Sequence, residues 1–397
     1  MINFRTVDDI NVLGKRVLVR ADLNVPMQEG KVTDTSRLDR LILTINDLTQ
    51  RGAKVAILSH FGRPNGQVVP SLTLRPVADA LAECLGRSVI FVDECIGEDA
   101  SDAIEGLAEG GIIVLENLRF HAGEEKNDVE FAADLAQLGD VYINDAFSAS
   151  HRYHASISRL PQLLPCAAGR FMQEELSALI KILSEPDRPL TAIVGGAKIS
   201  TKIDLLENLS KKVDALIIGG AMANTFLNAG GVSIGKSLCE HDMANTANEI
   251  MVAAYDFNCK IILPIDAIVA TKFEKGSAHS NVSINSVPAD QMILDVGPKT
   301  ISLLCETVKN SKTVVWNGPL GAFELSPFDL GTVALAQFTA DITDKGYITS
   351  IAGGGDTVAA LNHAGVAAKF SYVSGAGGAF LEWLEGKKLP GVEALNI

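Results

Sequence analysis

The chain has 397 residues, of which 47% are hydrophobic, and its formal net charge is −14. Its length exceeds one ordinary hydrophobic core and predicts two domains, and no apolar stretch is long enough to indicate a membrane span. The acidic balance argues against a surface for nucleic acid or anionic membrane, so an anionic ligand must be held by a local cluster of cations.

The cysteines and the start of the chain indicate a cytoplasmic protein. The six cysteines include no C-x-x-C pair, which argues against zinc sites and a disulfide framework and predicts reduced thiols, mostly in the core. The first 14 residues mix charged and apolar side chains without the apolar core of a signal peptide.

Short apolar runs alternate with helix-like segments in the first half of the chain, and each run ends in a polar loop. The runs are residues 17–19, 55–58, 112–115 and 141–143, and the helix-like segments include residues 37–51, 74–85 and 129–138. This βαβ periodicity predicts a largely parallel sheet that is buried on both faces. In such sheets ligands bind outside the carboxyl ends of the strands.

Arginine and lysine are divided between the two halves. Residues 1–170 hold 13 Arg and 4 Lys, whereas residues 171–397 hold 1 Arg and 16 Lys. Arg63, Arg119 and Arg152 follow apolar runs, and Arg37 begins a helix just beyond the first loop. The guanidinium fork suits phosphate and carboxylate oxygens, so these arginines predict a polyanion pocket. The alternative is compositional drift with solvated surface arginines.

Residues 169–184 predict a long helix between the two halves. Phe171, Leu176, Leu179, Ile180 and Leu183 have mostly helical spacing, and neither Pro nor Gly interrupts them. The position makes this helix the natural domain connector, and an ordinary core helix is the alternative.

In the second half, apolar runs lead into glycines instead of arginines. These runs are residues 192–194, 216–218, 314–316, 347–351 and 372–374. The fourth leads into Gly353-Gly354-Gly355-Asp356-Thr357, with Asp356 or Thr357 as the predicted N-cap of a helix over residues 358–363. Glycines before a helix N-terminus favour a phosphate, and Asp356 would hold the magnesium that neutralises it. The alternative is an ordinary turn in which glycine supplies a positive φ.

Two lysines follow the first glycine-containing strand end. Lys198 and Lys202 are predicted one helical turn apart, where both could face phosphate. For Lys202, more than for Lys198, a solvent-exposed role is the strong alternative.

Two further patterns are interpreted as having no ligand role of their own. Gly230 to Ser237 fits G-x-x-x-x-G-K-S, but the preceding residues 221–229 predict a helix and not the strand that a phosphate loop follows. His151 and His154 share helical spacing without a third ligand nearby, so we expect a polar or packing role for His154.

Taken together, five motifs resemble phosphoglycerate kinases over the whole chain. They are Arg16-Val17-Leu18-Val19-Arg20-Ala21-Asp22-Leu23-Asn24-Val25-Pro26, Ser59-His60-Phe61-Gly62-Arg63-Pro64, Glu116-Asn117-Leu118-Arg119-Phe120, Trp316-Asn317-Gly318-Pro319 and Gly353-Gly354-Gly355-Asp356-Thr357. The resemblance implies an α/β protein of two Rossmann-like domains, each a mostly parallel sheet flanked by helices, joined by a helix and facing each other across a cleft. The expected divisions are an N-terminal phosphoglycerate-binding domain (1–170), an interdomain helix (171–185), a C-terminal nucleotide-binding domain (186–375) and a tail (376–397) returning to the N-terminal domain.

The resemblance also implies the site residues. Those expected to hold 3-phosphoglycerate or 1,3-bisphosphoglycerate are Asp22, Asn24, Arg37, His60, Arg63, Arg119 and Arg152. Those expected to hold ATP or ADP with Mg²⁺ are Lys198, Lys202, Asn317, Glu324 at the ribose, Gly353, Gly354, Gly355, Asp356 and Thr357, with Asp356 as the metal ligand. Arg37 and Lys198 are expected to stabilise the transferring phosphoryl group. We expect a monomer without nucleic-acid or membrane partners.

The chain departs from the family pattern at two places. Phe61 replaces the usual Leu, which can pack either way, and Gly375-Ala376 replaces the usual Thr-Gly of a loop near the transferring phosphate. Two other functions are weighed against this one. A catalytically silent nucleotide-binding protein of the same fold would be expected to lose a transfer residue, but Arg37, Lys198 and Asp356 are all present. A Rossmann-type oxidoreductase is disfavoured because no G-x-G-x-x-G follows a predicted strand.

Overall fold

The computed structural model describes residues 4–184 and 186–396. The chain divides into two compact units, Met1–Ile180 with Lys388–Ile397, and Lys181–Lys387. Within the described residues, no helix is both long and apolar enough to cross a membrane. All six cysteines are free thiols, three of them buried.

The first unit is built on a six-stranded sheet in which every neighbouring pair is parallel. The spatial order of its strands is β5-β6-β4-β1-β7-β8. The strands, with the separate antiparallel hairpin β2–β3, are β1 Arg16–Arg20, β2 Met27–Gln28, β3 Lys31–Val32, β4 Lys54–Leu58, β5 Ile90–Val92, β6 Ile112–Leu115, β7 Val141–Asn144 and β8 Cys166–Ala168. The helices are α1 Ser36–Gln50, α2 Arg75–Leu85, α3 Glu98–Glu105, α4 Ala122–Glu125, α5 Val129–Gln137, α6 Leu160–Leu163 and α7 Arg170–Ser184.

The apolar pattern explains why these elements pack as they do. Every residue of β6 and β7 is buried, as expected for strands covered on both faces. Leu38, Leu41, Ile45 and Leu48 of α1 recur at helical spacing and are all buried in the core of this unit. The sheet and its covering helices therefore hold the loops at the carboxyl ends of the strands.

The second unit contains another all-parallel six-stranded sheet, with the order β11-β10-β9-β15-β16-β17. A separate antiparallel sheet has the order β13-β12-β14. The strands are β9 Leu190–Val194, β10 Ala215–Ile218, β11 Lys260–Ile262, β12 Asp266–Ala270, β13 His279–Ser283, β14 Met292–Val296, β15 Thr313–Asn317, β16 Thr349–Ala352 and β17 Tyr372–Val373. The helices are α8 Ile203–Ser210, α9 Gly220–Ala229, α10 Ala244–Asp256, α11 Pro298–Lys309, α12 Leu330–Asp344, α13 Gly355–His363 and α14 Gly378–Leu384, and a last helix, α15 Pro390–Glu393, belongs to the first unit.

The predicted α/β class with two parallel sheets is confirmed, and the predicted strands lie within two residues of their expected positions. The periodicity did not predict the short strands β2, β3, β5, β8 and β11 or the antiparallel sheet of β12, β13 and β14. Strands of three residues carry too little periodic signal to be separated from loops.

The unit boundaries differ from the predicted ones. The first boundary lies inside α7, and the segment that rejoins the first unit starts at residue 388 and not at 376. Residues 376–387 stay with the second unit because Phe380 packs directly over Gly353 and Asn208 Nδ2 donates to the Leu384 carbonyl at 2.5 Å. The side chain of Leu183, predicted on the apolar face of α7, and Ile397 of the predicted tail lie outside the described part of the chain.

Candidate active site

The predicted phosphoglycerate residues lie along one edge of the first sheet. Asp22 and Asn24 follow β1, His60 and Arg63 follow β4, Arg119 follows β6, and Arg152 follows β7. Their strands are neighbours in the order β6-β4-β1-β7 and all run parallel, so their carboxyl ends share an edge. Arg37 lies in the first turn of α1. Arg63, Arg119 and Arg152 thus follow strands whose carboxyl ends share one edge, and the polyanion pocket predicted from them and Arg37 stays a prediction.

Asp22 organises the loop after β1. Its carboxylate accepts from Arg37 Nη1 at 2.6 Å and from the Ser148 hydroxyl, and it also accepts from the Asn24 backbone N–H at 3.0 Å. The Asn24 side-chain oxygen accepts from the Gly62 N–H at 3.0 Å, which ties this loop to the loop after β4. Arg37, whose side chain is 42% exposed, thus has its position set while part of its guanidinium group faces solvent.

His60 is buried and electrically neutral. Burial, followed by the charges of Arg20, Arg119 and Arg152, holds the pKa of His60 well below its usual range. Arg20 Nη2 lies 3.1 Å from His60 Nδ1, and because arginine only donates, Nδ1 accepts. The ring proton of the neutral imidazole is therefore on Nε2, where it can be donated to an anion.

A buried network that the sequence did not reveal supports His60. Arg20 is fully buried, donates from Nε to Ser156 Oγ at 2.8 Å, and lies 3.9 Å from the buried Glu124 carboxylate. Glu124 accepts from the Ser156 hydroxyl at 2.6 Å and from its N–H at 2.9 Å. In the sequence this network is marked only by Arg20 at the end of an apolar strand. That position does not identify Glu124 and Ser156, which lie more than 100 residues further along the chain.

His154 joins this network and has the polar, packed environment that was predicted for it. It is buried, and its Nδ1 lies 3.7 Å from Glu124 Oε1. Burial, together with the charges of Arg119 and Arg20, lowers the pKa of His154 to about 3, so the ring is neutral.

Arg119 is a buried cation with incomplete pairing. It is 3% exposed, and its Nη1 donates to the Gly62 carbonyl at 2.7 Å. Its Nε lies 3.2 Å from Glu125 Oε1 but not in hydrogen-bonding geometry, and within the described residues neither Nε nor Nη2 has a hydrogen-bond partner. Burial lowers the pKa of Arg119 despite the nearby Glu125. Such a group is stabilised by an incoming anion.

Arg152 and Arg63 complete the cationic edge. Arg152 is half-buried and close enough to His60 and Arg119 to act on both electrostatically, whereas Arg63 is exposed. Neither arginine forms an ion pair with any residue in the described parts of the chain. Since Glu124 offsets Arg20 and Asp22 offsets Arg37, the edge retains an excess of positive charge.

In the second unit, the glycine-rich turn lies between β16 and α13. The helix starts at Gly355, and its N-cap is Gly354, with φ 97°. The prediction that Asp356 or Thr357 is the N-cap is therefore wrong. Gly354 can adopt this conformation because it lacks a Cβ, and Thr357 Oγ1 instead accepts from the Gly318 N–H at 2.7 Å.

Asp356 fits the role of a metal ligand. It is exposed in the first turn of α13, and within residues 4–184 and 186–396 its carboxylate has no hydrogen-bond partner. A Cβ placed on the neighbouring Gly355 would meet no atom within 4 Å, so the turn is open to a ligand. A free carboxylate beside open helix N–H groups suits a nucleotide phosphate with Mg²⁺.

Of the two candidate lysines, Lys202 is the more firmly held. Lys202 Nζ donates to the Gly195 carbonyl at 2.6 Å and to Asn317 Oδ1 at 2.7 Å, while Asn317 Nδ2 donates to the Gly353 carbonyl at 2.7 Å. Burial lowers the pKa of Lys202 to about 8, an effect that the charge of Asp356 opposes. Lys198 is exposed. The expectation that Lys202 was more readily a solvent lysine is therefore wrong.

The local backbone around these lysines also differs from the prediction. α8 begins only at Ile203, so Lys198 lies in the preceding loop and the two lysines do not share a helical face. The sequence could not show which of the two lysines is buried, because Lys202 is held by Asn317, which lies 115 residues away along the chain.

Some of the glycines at these strand ends serve backbone packing. A Cβ on Gly195 would lie 1.9 Å from the Pro319 carbonyl oxygen, and one on Gly220 would lie 2.5 Å from the Gly196 carbonyl oxygen. These loops therefore approach each other through their backbones. Only some of the glycines that follow the strands of this unit leave room for a ligand.

A cavity of about 510 Å³ adjoins the turn. Its lining is mostly apolar, including Leu238, Phe273, Ile293 and Leu320, and the polar wall includes Asp356 and Glu324. This size and lining suit a small, partly apolar ligand such as a nucleoside.

The G-x-x-x-x-G-K-S stretch, which was predicted not to hold phosphate, also reaches this cavity. As predicted, a helix, α9, precedes it. The Lys236 N–H donates to the Gln291 carbonyl at 2.8 Å, and the Ser237 hydroxyl donates to the Ile234 carbonyl. Lys236 itself nevertheless lines the cavity. Any contact with a nucleotide would therefore come from its side chain.

The loop with Gly375 and Ala376 starts α14. Ala376 is buried, and its N–H donates to Ser374 Oγ at 3.2 Å. At this position, just before α14, the chain has little side chain.

Comparison with known proteins agrees with this arrangement. A family model described as phosphoglycerate kinase matches residues 7–387. A phosphoglycerate kinase from Methylorubrum extorquens (strain PA1) is 59% identical over 397 residues, covering 100% of this chain and 99% of the relative. One from Azorhizobium caulinodans is 58% identical over 396 residues, covering 100% of both chains.

A solved structure leads to the same family. The phosphoglycerate kinase from Coxiella burnetii superposes with a TM-score of 0.93 at 42% sequence identity, over 99% of each chain. Since the family model and these relatives match almost the full length, this chain belongs to the phosphoglycerate kinase family.

Proposed function

We propose that the chain catalyses the reversible, Mg²⁺-dependent transfer of a phosphoryl group between 1,3-bisphosphoglycerate with ADP and 3-phosphoglycerate with ATP. The observation that carries this proposal is the buried Arg119 guanidinium group, which keeps two nitrogens without hydrogen-bond partners in the described chain. A buried cationic donor of this kind is stabilised by a phosphate or carboxylate ligand.

The remaining residues of the first edge supply orientation and charge. Arg63, Arg119 and Arg152 would bind the anionic groups of phosphoglycerate, while His60 donates its Nε2 proton. Asn24 helps to fix the loop, and Asp22 holds Arg37 in place through the 2.6 Å ion pair. The excess positive charge of this edge selects an acid with two anionic ends over a neutral sugar.

The second unit would hold the nucleotide. Its base and ribose would occupy the apolar cavity, with Glu324 at the ribose, and its phosphates would lie at the open turn of α13. Asp356 would hold Mg²⁺, which neutralises phosphate charge when bound. Lys202, fixed by Asn317 and Gly195, would position the phosphates.

Positioning and charge neutralisation account for the chemistry. In the ATP-consuming direction, a carboxylate oxygen of 3-phosphoglycerate bonds to the γ-phosphorus while the bond from that phosphorus to the bridging oxygen breaks, and ADP leaves with the electron pair. The carboxylate is already ionised at neutral pH, so no general base is required. We assign Arg37 and Lys198, both with exposed cationic ends, to the negative charge on the transferring group.

Because the two substrates are assigned to different units, the transfer requires the units to close in solution. Small-angle scattering should give a smaller radius of gyration with both substrates than with either alone. An unchanged radius at saturating concentrations of both would contradict this closure.

One coupled assay tests the reaction itself. Purified protein with 3-phosphoglycerate and MgATP should form an acyl phosphate, and omission of either substrate should abolish the signal. A folded protein that binds MgATP in calorimetry without forming the acyl phosphate would instead be the catalytically silent relative.

We further propose that the protein is a cytoplasmic monomer without nucleic-acid or membrane partners. The net charge of −14 and the family resemblance support this assignment. Sedimentation velocity at micromolar concentration should show a single species near 42.1 kDa, and a stable dimer would refute the monomer.

A further inference from the structure

A cluster of three different metal-ligating side chains lies beside the cationic edge of the first unit. Glu94 and Cys95 follow β5, and His121 follows the turn Leu118–Phe120 beyond β6. Strands β5 and β6 pair in parallel, so the two loops emerge at the same edge. A carboxylate oxygen, the Cys95 Sγ and a ring nitrogen of His121 all lie within 4.8 Å of one another.

The three side chains are already oriented by other contacts. Glu94 Oε1 lies 2.7 Å from His121 Nε2 and accepts from the Cys95 N–H at 3.0 Å. The His121 ring stacks on Phe131 with centroids 5.3 Å apart and an interplanar angle of 24°. Little conformational freedom would be lost when an ion replaces the contact between Glu94 and His121.

The cluster has one dry side and one open side. Cys95 is fully buried, whereas the side chains of His121 and Glu94 are 29% and 47% exposed. An ion can therefore enter from solvent and reach the thiol, and water can complete its coordination. The carboxylates of Glu94, Glu124 and Glu116 act electrostatically on Cys95, and of these Glu94 belongs to the cluster itself.

We propose that Glu94, Cys95 and His121 form a binding site for one thiophilic divalent cation of the Zn²⁺ class. Sulfur, nitrogen and oxygen donors together suit Zn²⁺, whereas Mg²⁺ prefers an octahedral set of oxygens. Tetrahedral Zn²⁺ with bonds of about 2.0–2.3 Å sets its ligands about 3.5 Å apart. Ligand atoms at the 4.8 Å limit would therefore close by about 1 Å, whereas Glu94 Oε1 and His121 Nε2, now 2.7 Å apart, would separate by less than about 1 Å.

Occupancy would join two loops. Binding displaces the thiol proton of Cys95 into solvent and links the segment after β5 to the segment that carries Arg119, two residues before His121. The spacing of the cysteines could not reveal this site, because its third ligand lies 26 positions beyond Cys95 and is not a cysteine.

Titration of the metal-free, reduced full-length protein with Co²⁺ in the absence of substrates tests the proposal. We expect one equivalent to bind with a thiolate-to-cobalt charge-transfer band, Zn²⁺ to displace it, and an equal concentration of Mg²⁺ to leave it in place. Loss of a group that only contacts a metal ligand typically weakens a metal site by about 10- to 100-fold. Glu94 is proposed as a direct ligand, so Glu94→Gln, which keeps the shape of the side chain, should weaken binding at least tenfold. Cys95→Ser should abolish the band.

The other close cysteine–histidine pair supplies the matched control. Cys239 Sγ lies 3.6 Å from His241 Nδ1 in the second unit, so Cys239→Ser should leave the cobalt band unchanged. A band that survives Cys95→Ser, one that disappears with Cys239→Ser, or no binding by the wild type would overturn the proposal. Because Cys95 is buried and its variant can misfold, His121→Gln provides a second test, and Zn²⁺ should raise the melting temperature of the wild type but not of this variant.

Discussion

Replacing Arg119 by methionine should separate ligand binding from stability if, as we propose, its two guanidinium nitrogens without hydrogen-bond partners bind the substrate. Methionine has a similar length and carries no charge. The substitution removes one hydrogen bond to the Gly62 carbonyl, worth about 1 kcal/mol, but it also removes a buried cation whose desolvation is poorly compensated. Glu125 remains partly solvated, since its side chain is 36% exposed. The free energy of unfolding without ligand should therefore change by less than about 1 kcal/mol.

The effect on 3-phosphoglycerate binding should be much larger. Two charge-assisted hydrogen bonds, at about 1.5–3 kcal/mol each, correspond to a loss of about 10²- to 10⁴-fold in affinity. Calorimetric titration with 3-phosphoglycerate measures this loss, and denaturant unfolding without ligand measures stability.

An exposed arginine of the same unit provides the control. Arg75 lies over the Phe91 ring at 4.5 Å and pairs with Asp93 at 2.7 Å. Arg75→Met should leave the affinity within about twofold, since exposed pairs contribute at most about 1 kcal/mol and this one is outside the proposed site. If Arg119→Met lost several kcal/mol of stability yet kept its affinity within threefold, Arg119 would be a structural cation and the reasoning would be refuted.

Four further variants test other parts of the site and fold. Arg37→Lys keeps the positive charge but loses the planar guanidinium fork. It should lower kcat by about a hundredfold, or about 3 kcal/mol, with little change in the KM for MgATP. Near-normal steady-state turnover would mean that Arg37 only holds the substrate by its charge. Lys198→Ala should lower kcat sharply. Lys236→Ala should weaken MgATP binding less than about tenfold, because the Lys236 side chain is exposed and a solvated charge contact contributes at most about 1 kcal/mol. A larger loss in calorimetry would identify that loop as a phosphate site. Burial raises the pKa of Asp145 from 3.8 to about 6, so the folded state binds more protons between these values and its stability falls as pH rises through them. Asp145→Asn should therefore gain up to about 3 kcal/mol relative to the wild type between pH 4 and pH 7 in denaturant unfolding, and a pH-independent difference would contradict this assignment.

The alternation of apolar runs and helix-like segments was sufficient to predict the fold class and the sheet edge that carries the candidate site residues. This inference succeeds because a buried parallel strand can be recognised from a short apolar run in the sequence. Once such strands pair in parallel, their carboxyl ends must share one edge of the sheet. Arg63, Arg119 and Arg152 were thereby assigned to the same edge from their positions after strands.

The conformation and capping of the glycine turn could not be predicted from the sequence alone. The glycines indicated a turn there, but not which of them has the positive φ, which is 97° at Gly354. Nor did they indicate that the Gly318 N–H donates to Thr357 Oγ1, a bond that depends on β15 lying beside β16. The predicted cap was wrong because a side chain that can cap its own helix can also accept from another loop.

The sequence by itself determined which chemical groups are available and the strand ends at which they emerge. Only the tertiary structure decided which of them are buried and paired: Arg20 beside His60, Lys202 beside Asn317, and Cys95 near His121. These pairs are between 26 and 115 residues apart along the chain. Local periodicity carries no information on such distances, whereas burial and electrostatics depend on whatever side chains the folded chain brings together.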